Sequence, residues 1–187
     1  MNRTRTVAAL ALALVLALAG CSGGDDEPTS SAGSDAARHN AADVTFAQDM
    51  IPHHRQATEM AGLVAERSTN AQVEQLATQI QQAQEPEIIE MSGWLEDWDE
   101  EVPAPDAAVG DMSGMMSPED LEQLAGLTGE AFDRSFLTLM IAHHEGAIEM
   151  ARTEAEDGEN ADAVALARSI EATQNDEIET MRGLLGG

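Results

Sequence analysis

The sequence has almost no cysteine and few basic residues. Its one cysteine among 187 residues, Cys21, leaves no partner for an intramolecular disulfide, so stability must come from packing. Nine Lys and Arg residues against 35 Asp and Glu residues give a formal net charge of −26. So acidic a chain repels nucleic acid and anionic lipid and attracts cations. A nucleic-acid partner is therefore not expected.

The sequence also lacks segments that alternate apolar and polar residues, which argues against a β-sheet. Its longest apolar run, residues 7–18, is too short and wrongly flanked for a resident membrane span. This run follows Arg3 and Arg5 and ends in Leu-Ala-Gly-Cys, which predicts a secretory signal over residues 1–21. The ending resembles a lipobox and predicts lipidation of Cys21. The alternative is an ordinary cleaved signal with a chance cysteine.

These features predict an exported protein whose folded domain is held at the outer face of the cell membrane by a lipid on Cys21. Residues 22–42 are mostly Ser, Gly, Asp, Ala and Thr, a composition typical of a flexible tether. The predicted domain covers residues 43–187.

An internal repeat organises this domain, because the chain matches itself at an offset of 90 residues. Residues around Phe46 fall on residues around Phe136, and the same offset relates the segments near Leu76 and Leu166. One unbroken offset over both halves of each unit indicates a duplication. The predicted repeat units are residues 44–98 and 131–185.

Each unit is predicted to form two amphipathic helices. In the first, apolar residues recur every three to four positions, and Ser68, Thr69 and Asn70 then break the helix and cap the next one. The crossover, residues 99–130, contains several prolines and glycines and a short predicted helix that begins after Ser117 and runs through Leu124. We therefore predict an all-α, ferritin-like four-helix bundle built from two duplicated hairpins.

Four of the five histidines form two adjacent pairs at the same place in the two units. Neighbouring helical residues differ by about 100° in azimuth, so we expect His53 to face the bundle interior and His54 to lie at its flank. Met50 precedes them by three and four residues, within reach of either ring. The ligands predicted from this pattern are Met50, His53, His54, Met140, His143 and His144.

Folding the first hairpin predicts further ligands. If the chain turns back near residues 69–70, His53 comes opposite Pro86 and Glu87, and Met50 comes opposite residues 89–91. A carboxylate at such a core position needs a cation or a hydrogen-bonded histidine. With the second unit included, this second group of ligands is Glu87, Met91, Glu177 and Met181.

The donor set favours copper. Di-iron bundles use Glu-x-x-His, which is absent here, and a methionine stands three residues before each inner histidine. Thioether and imidazole together favour copper, as Cu(I) above Cu(II), with iron or zinc as the alternative. We expect binding to weaken as the pH falls through the imidazole range near about 6–7. A candidate secondary site in the polar crossover consists of Met112, Met115 and Met116.

Two plainer interpretations stay open. Methionines at helical spacing are often core filler, which is the expected role of Met60 and Met150. The histidines could also simply bond Glu87 and Glu177 in a structural or signalling bundle without metal.

The segments FAQDMIPHHRQATEM, from Phe46 to Met60, and FLTLMIAHHEGAIEM, from Phe136 to Met150, resemble the signature of the bacterial domain-of-unknown-function family 305. The resemblance covers about residues 40–185. It implies an exported, ferritin-like four-helix bundle and copper binding linked to copper tolerance, and it implies no enzyme activity. Carried over by position, the motif falls on Met50, His53, His54, Met140, His143 and His144.

We therefore expect a membrane-tethered, extracytoplasmic copper-binding protein that scavenges, buffers or transfers copper, with metal ions and a copper-transfer protein as its partners. No catalytic residues are predicted. The alternative is a ferritin-like, metal-dependent oxidoreductase that uses the same ligands.

Overall fold

The computed structural model describes residues 38–105 and 112–186. The predicted signal, Cys21 and most of the predicted tether lie outside these residues. The helices are α1 (Ala41–Gly62), α2 (Val64–Arg67), α3 (Ala71–Asp97), α4 (Pro118–Ala125), α5 (Gly129–Asp157) and α6 (Ala161–Gly186). Within the described ranges no residue forms a strand, and no helix is long and apolar enough to cross a membrane.

Side-chain caps fix where several helices begin. The Asn40 side chain accepts hydrogen bonds from the N–H groups of Ala42 and Asp43, and Asp43 in turn accepts from the Asn40 N–H. Asn70 caps α3, and Ser117 caps α4. Each cap satisfies backbone donors that the first helical turn leaves unpaired. The cap at Asn40 starts α1 two residues before the predicted domain boundary at residue 43.

The four long helices form the bundle. α1 packs antiparallel on α3, α5 packs on α6, and contact between α1 and α5 joins the two hairpins. The antiparallel register is visible in Gln81, which donates to the Thr58 carbonyl, and in Glu87, which contacts His54. The predicted all-α four-helix bundle is confirmed.

Two apolar clusters fill the bundle, and each contains side chains of both hairpins. In one cluster Met50 and Met91 of the first hairpin pack with Ala147 and Ala151 of α5. In the other cluster the corresponding positions are Met140, Met181, Ala57 and Ala61. Burial of one such methionine side chain contributes about 1.5–3 kcal/mol. The alanines let α1 and α5 approach closely where the histidine pairs lie.

The crossover is partly helical, and its end is anchored in the core. It includes α4, as predicted after Ser117, and Leu124 of α4 is fully buried. α5 begins at Gly129, which has a φ of 60°, so the helix starts before the predicted end of the crossover at residue 130. Gly129 adopts this left-handed conformation without the steric penalty of a side chain.

Candidate metal centre

His53 and His143 meet at the contact between α1 and α5. Their ring centroids are 3.8 Å apart, and the ring planes are tilted by 41°. Both side chains are fully buried. The sequence predicted one site in each unit, whereas the structure brings the inner histidines of both units together. Reasoning within one hairpin could not find this contact because it depends on how the two hairpins pack.

The second histidine of each pair bonds a glutamate of its own hairpin. His54 Nε2 lies 2.7 Å from Glu87 Oε2, and His144 Nε2 lies 2.6 Å from Glu177 Oε2. The sequence had placed Glu87 opposite His53. The histidine that bonds Glu87 is therefore one residue further along α1 than predicted, and one residue on a helix corresponds to a rotation of about 100°.

His54 is not at an exposed flank. It is fully buried, like His53, and the flank on which the sequence placed it is covered by α3. α1 contacts α3 on one side and α5 on another. The two side chains point about 100° apart, and each is covered by a neighbouring helix: His54 faces Glu87 of α3, and His53 faces His143 of α5.

The hydrogen bonds fix the proton position on three of the four histidines. A carboxylate or a carbonyl can only accept, so the nitrogen that faces it must carry the proton. His54 Nε2 and His144 Nε2 therefore donate to glutamates, and His53 Nε2 donates to the Ser113 carbonyl at 3.3 Å. In the neutral form of each ring the lone pair is then on Nδ1. Nδ1 is buried without a hydrogen-bond partner in all four histidines, and so is His143 Nε2.

The inner histidines are neutral at physiological pH. Burial, followed by the nearby His54, lowers the pKa of His53 to about 3. Burial and the neighbouring histidines also hold the pKa of His143 well below its usual value of 6.5. These low pKa values argue against the expected loss of binding near pH 6–7 at these two rings, because their lone pairs stay free of protons at that pH.

The predicted methionine ligands lie in the apolar clusters beside the histidines. Met50, Met91, Met140 and Met181 are all fully buried. Met50 stands about one helical turn before His53. In residues 38–105 and 112–186, no group of three His, Cys, Asp or Glu side chains is arranged to hold a metal ion. Ligation at the histidines would therefore need methionine sulfur or a rearrangement of these side chains.

The crossover methionines lie next to the centre. Met112, Met115 and Met116 are each partly buried. The Gln56 side chain donates to the Met116 carbonyl at 2.9 Å and accepts from the Met116 N–H at 2.7 Å. Gln56 is one turn beyond His53 on α1, so the crossover is tied to the helix that carries the histidines. No pattern in the sequence indicated this role of Gln56.

Two buried glutamines also escaped the site prediction. Gln84 and Gln174 are 2% and 3% exposed, and both amide atoms of Gln84 and the Oε1 of Gln174 have no hydrogen-bond partner. Each stands three residues before the glutamate that bonds a histidine. A buried amide without a hydrogen-bond partner is costly, so both glutamines are exceptions to the apolar composition of the core. Gln84 and Gln174 are equivalent at the 90-residue offset. A polar residue repeated within an otherwise apolar helix face was the sequence signal that could have identified them.

A separate buried acid pair lies far along α1 from the histidines. Asp43 Oδ1 accepts from the Asn160 N–H at 2.9 Å, and Asp43 Oδ2 accepts from the Glu159 N–H at 3.2 Å. Glu154 is 1% exposed beside it. The two carboxyls do not meet in a well-formed hydrogen bond, but they are close enough to affect each other. Burial and then Asp43 raise the pKa of Glu154 to about 8.

The pKa of Asp43 shifts in the opposite direction from that of Glu154. Burial raises its pKa, but the nearby Glu154 carboxyl and the hydrogen bonds from backbone N–H groups outweigh burial, and the pKa of Asp43 is lowered from its usual value. The pair therefore holds one charge at neutral pH, on Asp43, with a proton kept on Glu154. It ties the start of α1 to the turn between α5 and α6.

Comparison with known proteins places this arrangement in context. Over residues 43–185 the chain matches the family described as Domain of unknown function (DUF305). A candidate secreted DUF305 protein from Streptomyces coelicolor is 34% identical, with a TM-score of 0.72 over 78% of this chain and 92% of that chain. A DUF305 fragment from Deinococcus radiodurans is 36% identical, with a TM-score of 0.72 over 79% and 97%.

CopM in its Cu(II)-bound form is 32% identical, with a TM-score of 0.68 over 77% of this chain and 95% of that chain. CopM has also been solved in Cu(I)-bound, Ag-bound and apo forms. No curated protein matches the sequence.

Proposed function

This chain belongs to the DUF305 family, and we propose that it binds copper at the paired histidines, outside the cytoplasm, in order to scavenge, buffer or transfer the metal. The observation that carries the proposal is the set of buried ring nitrogens. Four Nδ1 atoms and His143 Nε2 lie in the core without a hydrogen-bond partner.

These nitrogens fit a metal ion better than they fit an apolar core. A buried polar atom without a partner costs about 1–3 kcal/mol, and several such atoms in one place make the empty centre unfavourable. Imidazole binds metal through a neutral nitrogen lone pair, and the low pKa values of His53 and His143 keep those lone pairs available. A bound cation would satisfy them.

We assign Glu87 and Glu177 an orienting role as well as their predicted place among the ligands. A histidine that ligates through one nitrogen commonly donates its other N–H to a carboxylate, which fixes the ring and strengthens the ligand. His54 with Glu87 and His144 with Glu177 have this arrangement. In this role each carboxylate holds its histidine with Nδ1 free for the metal.

Copper is the metal that the remaining donors favour. Thioether sulfur from Met50 and Met140, supported by Met91 and Met181, would complete a soft-to-borderline set around the imidazoles. Such a set favours Cu(I), with Cu(II) held chiefly by nitrogen. CopM, which has been solved with Cu(I), Cu(II) and Ag, supports the same metal class for this chain.

The proposed location of the protein rests on the predicted signal at its N-terminus. We propose that the signal over residues 1–21 exports the chain, that Cys21 carries the lipid, and that the bundle acts at the outer face of the cell membrane. The similarity to a candidate secreted protein supports the extracytoplasmic part of this proposal.

The test is Cu(I) competition against a chelator with the full chain and two double variants. His53→Ala with His143→Ala should weaken binding of Cu(I), Cu(II) and Zn(II) alike. Met50→Leu with Met140→Leu should weaken Cu(I) binding and leave Zn(II) binding largely intact, because only Cu(I) depends on thioether.

The matched control is Met60→Leu with Met150→Leu, which changes the other repeated methionine pair and should leave Cu(I) affinity unchanged. If all three double variants bind Cu(I) as the wild type does, the histidine centre is not the copper site and the proposal fails.

A further inference from the structure

Residues 112–116, Met-Ser-Gly-Met-Met, form a strap across the histidine centre; we call this segment the methionine strap. It touches both helices that carry the histidine pairs. On α1 the Gln56 side chain makes two hydrogen bonds to Met116. On the same helix, the His53 ring donates a hydrogen bond to the carbonyl of Ser113, which belongs to the strap.

On α5 the strap approaches so closely that only glycine fits on either side. A Cβ at Gly146 would overlap the Ser113 carbonyl oxygen and lie 2.8 Å from the Gly114 Cα. A Cβ at Gly114 would lie 2.7 Å from the Ala142 carbonyl oxygen, and Gly114 has a φ of 79°. Two glycines in backbone contact thus seat the strap one turn beyond His143.

The strap makes the two inner histidines unequal. His53 Nε2 has the Ser113 carbonyl as its acceptor, which places the proton on Nε2 and the lone pair on Nδ1. His143 makes no such bond to the strap. The repeat itself has no second strap, and Gln56 corresponds at the 90-residue offset to Gly146. The first unit therefore forms hydrogen bonds to the strap through Gln56, and the second unit has a glycine, Gly146, where the strap backbone approaches.

We propose that the methionine strap is a positioning element of the metal centre. Ser113 holds His53 in the tautomer and orientation that present Nδ1 to a soft cation, and Gln56 and Gly146 hold Ser113 in place. This deepens, and rests on, the proposed function.

The expected size of the effect comes from other histidine metal sites, where removing the acceptor behind a ligating histidine lowers metal affinity about 10–100-fold. Displacing the strap should have the same consequence here. It acts through His53 alone, so binding should weaken without being abolished.

The experiment compares Gly146→Ala with Gly93→Ala in the full chain. Both replace a glycine inside a long helix, but a Cβ at Gly93 meets nothing within 4 Å. Gly93→Ala should stabilise its helix slightly and change nothing at the centre. A second variant, Gln56→Leu, releases the strap from α1 without adding a Cβ on α5.

Two readouts are needed. Ring ¹⁵N NMR of the metal-free chain reports the tautomer of His53, and Cu(I) competition against a chelator reports affinity. In Gly146→Ala and Gln56→Leu we expect His53 to lose its single Nε2–H tautomer and the Cu(I) affinity to fall about 10–100-fold. Gly93→Ala should match the wild type in both.

The proposal is overturned if the tautomer changes while Cu(I) affinity stays within twofold, or if His53 keeps its tautomer in both strap variants. If the wild type binds no Cu(I), the proposed function fails, and the NMR result still decides whether the strap positions His53.

Discussion

Replacing Glu154 with glutamine should stabilise the protein increasingly as the pH rises. Glu154 is buried beside the ionised Asp43, and its pKa is raised from 4.5 to about 8. A raised pKa means that the folded protein keeps a proton that the unfolded chain releases. The stabilising contribution is therefore fully present below pH 4.5 and is lost as the pH rises towards 8.

The magnitude follows from the pKa difference. Each pH unit between the two pKa values removes about 1.4 kcal/mol from the free energy of unfolding. From pH 5 to pH 7 the wild type should therefore lose about 3 kcal/mol through this one group. Glutamine has nearly the shape of the protonated acid, but it does not titrate.

The assay is urea unfolding of the wild type and Glu154→Gln at pH 5, 6, 7 and 8, a range in which Asp43 stays ionised. Glu154→Gln should gain about 3 kcal/mol relative to the wild type between pH 5 and pH 7. The control is Glu149→Gln, an exposed glutamate on the same helix, whose difference from the wild type should not change with pH. A flat difference for Glu154→Gln would refute the buried acid pair.

Two further outcomes are expected. Glu87→Leu with Glu177→Leu removes the acceptors behind His54 and His144, so Cu(I) affinity measured by chelator competition should fall by about 10–100-fold; an unchanged affinity would show that these rings do not need orienting for binding. Cys21→Ala removes the predicted lipid attachment, so membrane fractionation should find the chain released into the soluble extracytoplasmic fraction, whereas full retention on the membrane would contradict the anchor.

Local signals were enough for the helices and the family. The family suggested by the doubled Met-x-x-His-His motif is confirmed. The predicted caps at Asn70 and Ser117 are present, because a cap depends on residues only two or three positions away. The pairing of a histidine with Glu87 was also foreseen from hairpin geometry.

The parts of the site that the sequence did not predict depend on contacts between residues far apart in the chain. The hairpin estimate missed by one residue, enough to exchange His54 for His53 as the partner of Glu87. The His53–His143 contact joins residues 90 apart on different hairpins, and its prediction requires the packing of α1 on α5. No periodicity in the sequence encodes that packing.

The backbone contact between Gly114 and Gly146 could not be predicted from the sequence for another reason. A glycine within a predicted helix indicates reduced helix propensity, without saying which segment approaches it. Likewise Glu154 appears in the sequence as one acidic residue among 35 Asp and Glu residues. Only its burial beside Asp43 distinguishes it from solvated carboxylates.

The central claim is that copper sits between imidazole and thioether donors at the centre of the bundle. The most direct measurement is X-ray absorption at the copper edge on the Cu(I)-loaded full chain, with the His53→Ala/His143→Ala and Met50→Leu/Met140→Leu variants beside it. We expect nitrogen and sulfur ligands in the wild type, fewer sulfur ligands in the methionine variant, and fewer nitrogen ligands in the histidine variant. A wild-type spectrum that both variants leave unchanged would place the copper elsewhere and contradict the account.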